Sequence, residues 1–162
     1  MKTKEWVING LIAALYVTVT GFIAPLSFGA YQFRIGEMLN HLVVFNKKYI
    51  PGIVGGVFLS NLLFSEFGGY DLIFGVGHTI LSLALVYLLT NRQMSVRMKM
   101  ILNTISFAVM SFMVAWMLHI AAAAPFWFTY FTVAIGELAV MGLGIPIMER
   151  IEHRLHLTEF SA

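Results

Sequence analysis

The chain has 162 residues, enough for one compact domain and too few for two substantial ones. Hydrophobic residues make up 59% and charged residues 11%, with a mean hydropathy of +0.84; a soluble domain carries roughly 25% charged residues, so this surface is not built to face water. The net charge of +2, with no long basic run, argues against a nucleic-acid partner, and the absence of cysteine removes disulfides, thiol catalysis and Cys-based metal sites.

The reading is therefore an integral membrane protein, a single domain over residues 1–162. The first apolar run, in MKTKEWVINGLIAALYVTVTGFIAP, follows two lysines. It is about 18 residues long, beyond the roughly 7–15 of a signal-peptide core, and predicts a retained transmembrane helix over Trp6–Ala24. Gly10, Ala14 and Thr18 recur every fourth residue along it, a small-residue stripe that lets another helix approach closely. Docking to a separate membrane protein and packing inside the bundle are both compatible with such a stripe.

Two shorter apolar segments follow, Ile35–Phe45 and Tyr49–Phe64, separated by NKKYIP, in which Pro51 suits a first helical turn. As helices they rise only about 17 and 24 Å. On the first of them Arg34, Glu37 and His41 are spaced i, i+3, i+7, which predicts one shared helical face. The next long span is Leu72–Thr90, where Asp71, Gly75, His78 and Ser82 share a face; Asp71 also reads as a helix N-cap. Met100–Ala121 follows, with His119 near its outer end, and then Phe126–Met148 with a stripe of Tyr130, Val133, Ala134, Glu137 and Met141. Glu137 lies about 16 Å below Phe126 along the helix, near the bilayer midplane, where a carboxylate needs a partner or a proton.

Counting the two short segments as spans gives six. With the amino terminus cytoplasmic, nine of the ten basic residues then fall inside and only Arg34 outside. Positive residues favour the cytoplasmic side of short loops, so the expected architecture is an all-α, six-transmembrane-helix bundle with both termini cytoplasmic. Ionisable residues within spans mark functional sites by default. Histidines 41, 78 and 119 have no close ligand spacing within one span, and His153 and His156 fall in the tail, so no metal site is expected. No phosphate-binding loop, GxSxG, HExxH or dinucleotide fingerprint occurs, so the chain is not expected to use ATP itself.

The runs APLSFGAYQFRIGE, IPGIVGGVFLSNLLF and GGYDLIFG, with AIGELAV in the last span, resemble the QueT family across nearly the whole chain. The resemblance implies a substrate-capturing S-component of an energy-coupling factor (ECF) importer in the bacterial cell membrane, not an enzyme. It implies as partners a transmembrane coupling protein and two ATPase subunits, with ATP used by those subunits and no cofactor in this chain. The family's A-x-x-x-A docking motif on the first helix maps to Gly10 and Ala14. Its expected ligand is queuosine or its deazaguanine precursors; an alternative is cobalamin or another vitamin, and a remote one is a small intramembrane enzyme using Glu137 and a histidine. A guanine-like edge offers adjacent N–H donors to a carboxylate and an O6 acceptor to Arg or Gln, and its ring stacks on aromatic faces. The expected substrate-binding residues are Gln32, Arg34, Glu37, Asp71, His78, Tyr130 and Glu137.

Overall fold

The computed structural model describes residues 3–24 and 34–158, and all regular structure among them is helical. Helix α1 spans Thr3–Phe22. A 3-10 helix, Ile35–His41, runs directly into a single α-turn, α2 (Leu42–Phe45). Asn46 then breaks the chain in extended conformation and accepts from the Lys48 amide at 3.0 Å, starting a 3-10 turn over Lys47–Tyr49. Helices α3 (Ile50–Phe64), α4 (Gly69–Leu89), α5 (Val96–Met110), α6 (Phe112–Ala122) and α7 (Phe126–Leu155) complete the fold.

Among the described residues, four helical stretches are long and apolar enough to cross a membrane: Thr3–Phe22, Gly69–Leu89, Val96–Ala122 and Phe126–Leu155. They overlap the four long runs of the sequence, the last helix running seven residues beyond Met148. The other two segments are short, α3 having 15 residues and so a rise of about 22 Å.

One expectation needs correction. Arg34, Glu37 and His41 do not share one face, because Ile35–His41 is a 3-10 helix. At three residues per turn, Arg34, Glu37 and Asn40 form a column, whereas His41 is turned about a third of a revolution away. The span containing Met100–Ala121 is interrupted only at Ser111, between α5 and α6, and the bonds from the Ser111 amide to the Phe107 carbonyl and from the Ala115 amide to the Ser111 carbonyl carry the helix across. Ser111 Oγ bonds back to the Phe107 carbonyl at 3.0 Å, a contact that bends helices.

The helix ends follow from local chemistry. Pro51 occupies the first turn of α3, and the Gly52 amide donates to Asn9 Oδ1 at 2.6 Å. Asn9 Nδ2 in turn donates to the Glu5 and Lys48 carbonyls, so one α1 side chain ties down the start of α3. Ser95 Oγ accepts from the Met98 amide to open α5. Ala123, at φ 53°, ends α6, and the His119 ring donates from Nδ1 to the Ala124 carbonyl at 2.8 Å.

Packing places α1 on α3, α3 on α4, α4 on α5, α5 on α7, α7 on the 3-10 helix, and the 3-10 helix back on α1. The elements form a closed ring. Close approach is bought with glycine: a Cβ on Gly56 would lie 2.6 Å from Tyr16 Cβ and 3.2 Å from Ala13 Cα, and one on Gly36 would lie 2.6 Å from Thr20 Oγ1.

The polarity is that of a membrane protein. Large apolar side chains such as Phe22, Ile73, Leu88 and Leu143 are exposed, as are Trp6, Trp116 and Trp127. Inside the ring lie Glu37, Asn40, His41, Ser60, Asn61, His78, Ser82, Asn103 and Glu137, each at most 2% exposed.

Candidate functional site

Three ring elements bring ionisable side chains together: Glu37 from the 3-10 helix, His78 from α4 and Glu137 from α7. One ligand atom of each lies within 4.8 Å of the others. Residues far apart in the chain thus meet because the ring closes around them.

Glu37 is held on both sides. The Arg34 guanidinium stands 3.0 Å from Oε1, and Asn40 Nδ2 donates to Oε2. These partners sit three residues before and after it, one turn of the 3-10 helix each way, so its pitch is what builds the clamp. The phenol end of Tyr16 lies over Gly36 beside this column, with Cζ 3.3 Å from where a Cβ would stand.

His78 Nε2 lies 3.1 Å from the Phe107 carbonyl. A carbonyl only accepts, so Nε2 carries the hydrogen and Nδ1 presents a lone pair. That carbonyl also accepts from Ser111 Oγ and the Ser111 amide. The Phe107 carbonyl, beside the α5–α6 junction, thus serves both Ser111 and His78 and sets the histidine tautomer. The His78 ring meets the Phe107 ring edge-on, with centroids 5.3 Å apart.

Glu137 is different in kind. Neither of its oxygens has a hydrogen-bond partner among the described residues, although the residue is only 2% exposed. His78 Nδ1 and the Ser60 and Ser82 hydroxyls are likewise buried without one. A buried carboxylate normally satisfies its lone pairs, so this interior is rich in acceptors and waiting for donors. Two carboxylates face one guanidinium, and a ligand offering N–H groups or positive charge is the chemical complement.

Of the seven expected binding residues, the structure brings Arg34, Glu37, His78 and Glu137 together. Asp71 is buried near the start of α4, but its Oδ2 accepts from Ser65 Oγ at 2.8 Å and the Phe67 amide at 3.2 Å, stapling the loop before the helix. Tyr130 stacks on Phe126 and its hydroxyl lies 3.5 Å from the Val109 carbonyl, within a group that includes Trp127 and Phe131. Gln32 lies outside the described residues.

Asn40 was not anticipated; its signal is the repeated three-residue spacing Arg34–Glu37–Asn40. Asn103 supports the neighbouring His41, whose Nε2 donates to the Met141 carbonyl at 2.9 Å and whose Nδ1 accepts from Asn103 at 3.2 Å. Of the histidines, ring 41 bonds to the Met141 carbonyl and ring 119 to the Ala124 carbonyl, and among the described residues only His78 stands close to two carboxylates. Glu37, His78 and Glu137 are close enough to hold a cation, but Arg34 and Asn40 already engage both oxygens of Glu37.

On α1, Gly10, Ala14 and Thr18 are all exposed, and a Cβ at Gly10 would meet nothing within 4 Å. Thr18 bonds only back to the Ala14 carbonyl, at 2.8 Å. The stripe is smooth and faces away from this chain's own bundle.

An all-helical, multi-pass membrane protein with a buried polar centre inside a closed helical ring is the form of a small-molecule membrane transporter. Comparison with known proteins gives the particular one: the QueT transporter family matches residues 6–153, and the chain belongs to that family. It is 35% identical over 166 residues to the queuosine precursor transporter QueT of Lactococcus lactis subsp. cremoris (strain MG1363), covering 97% of each chain. No solved structure matches it. The chain is a transporter and not an enzyme.

Proposed function

We propose that this chain is the substrate-capturing S-component of an ECF-type importer and that its ligand is queuosine or one of its deazaguanine precursors, held by Glu137, Glu37, His78 and Arg34. The observation that carries this reading is Glu137, deeply buried with both oxygens unpartnered among the described residues. A deazaguanine ring presents two adjacent N–H donors, which a carboxylate accepts as a pair. His78 Nδ1 and the two serine hydroxyls can receive further donors, and Arg34 can meet the ring's carbonyl. A cationic aminomethyl substituent would also suit a site with two carboxylates and one guanidinium.

Six spans with both termini cytoplasmic remain the reading of the whole chain, supported by the position of nine of ten basic residues. The exposed stripe Gly10–Ala14–Thr18 supports docking to a transmembrane coupling protein, with ATP hydrolysed by two ATPase subunits. A divalent cation in place of the ligand is the weaker reading, because it would have to displace Arg34 from Glu37.

The deciding variant is Glu137→Gln. It exchanges one acceptor oxygen for an NH₂ donor and sets donor against donor. Hydrogen bonds to a charged group contribute about 1.5–3 kcal/mol, so affinity should fall by roughly tenfold to more than a hundredfold. Titration of the purified variant with queuine, queuosine and the aminomethyl precursor, alongside a thermal melt, tests this. Unchanged affinity would remove Glu137 from the site.

A further inference from the structure

Some of the basic residues at the Lys47 end of the bundle are ion-paired and others are not. Lys48 pairs with Glu5 at 2.8 Å, and Arg97 makes a two-point contact with Glu149 at 2.9 and 2.7 Å. Lys47, Arg92 and Lys99 are in no ion pair among the described residues. These three, from the 3-10 turn, the α4–α5 loop and the first turn of α5, line one cavity of about 480 Å³, and no described acidic residue lines it with them. That volume is within the roughly 300–1,000 Å³ typical of ligand pockets.

Below the cations the wall turns apolar, through Val43, Leu83 and Val86. It continues to Tyr87, which lines the cavity and is 66% exposed, beside the outward-facing Leu88. Three like charges around a concavity repel one another, and an anion among them relieves the repulsion. A free inorganic anion would meet the cations and leave the apolar wall wet. A molecule with an anionic head and an apolar tail satisfies both parts at once. The position, at the end of two spans, is where lipid headgroups lie, and anionic lipids are drawn to basic clusters there.

We infer that this cavity binds an anionic phospholipid, its phosphate among Lys47, Arg92 and Lys99 and an acyl chain descending along Val43, Leu83 and Val86. The occupant is a structural or regulatory lipid, distinct from the transported ligand at Glu137.

The test uses the full chain in nanodiscs of phosphatidylcholine with a minor fraction of phosphatidylglycerol, released for native mass spectrometry. The wild type should retain a phosphatidylglycerol molecule in preference to phosphatidylcholine. Each charge removed should weaken retention roughly fivefold, so Lys47→Gln with Arg92→Gln and Lys99→Gln should abolish it. Arg150→Gln with Arg154→Gln, which removes two charges outside the cavity, should leave it intact. Equal retention by the triple variant, or equal loss in the Arg150/Arg154 variant, would overturn the inference. Displacement of the lipid by excess inorganic phosphate would overturn the lipid assignment by naming phosphate as the ligand. If the triple variant melts early, the single substitutions decide, and full retention in all three would defeat the proposal.

Discussion

At the scale of single residues, Glu37 and Glu137 are a matched pair with opposite roles. Both are buried carboxylates, but Glu37 is clamped by Arg34 and Asn40 while Glu137 has no partner among the described residues. Glu37→Gln leaves the Arg34 guanidinium, itself only 8% exposed, without its carboxylate. Breaking a buried pair in this way costs about 3–5 kcal/mol. Glu137→Gln keeps the shape of a buried side chain that has no partner among the described residues, and should leave stability unchanged or improved. Thermal melts of the two variants in the same detergent should therefore diverge, with Glu37→Gln lower. Coincident melts would show that the Arg34–Glu37 pair does not hold the ring closed.

At the scale of elements, α1 works on two faces. Its inward side packs against α3 through glycine, while Gly10, Ala14 and Thr18 look outward. Ala14→Trp adds bulk where this chain has nothing to clash with, so the isolated protein should fold and bind ligand normally. A partner helix seated on the stripe could not keep its distance. Pull-down of the coupling protein should be lost while ligand affinity is kept; normal pull-down and uptake would place docking elsewhere. The 3-10 helix shows how far the sequence could be read at this scale. Its apolar content and the grouping of Arg34 with Glu37 were legible, but its pitch was not. A 3-10 and an α reading both place residues three apart in contact, and only the packing against α1 and α7 selects between them. The interruption at Ser111 was not legible either, since a serine inside an apolar run carries no strong stop signal.

At the scale of the whole molecule, the long spans were legible because twenty apolar residues have few other uses. Glu137 stood out in the sequence because a midplane carboxylate is costly without a function, and the structure buries it with no hydrogen-bond partner among the described residues. Asp71 bonds to the loop before its helix and Tyr130 joins an aromatic group; helical periodicity gives a face but not the neighbour that face will meet. The distribution of the three tryptophans has an optical consequence. Trp6, Trp116 and Trp127 are all at least half exposed at the outer surface, and the polar centre has no indole in it. Ligand capture at Glu137 should leave intrinsic tryptophan emission almost unmoved, so a silent fluorescence titration is no sign of an empty site. Trp6 stands in register with Gly10 and Ala14, one turn earlier on the same stripe. Its emission should shift when a partner covers that stripe, giving the isolated chain a built-in reporter of assembly that is blind to substrate.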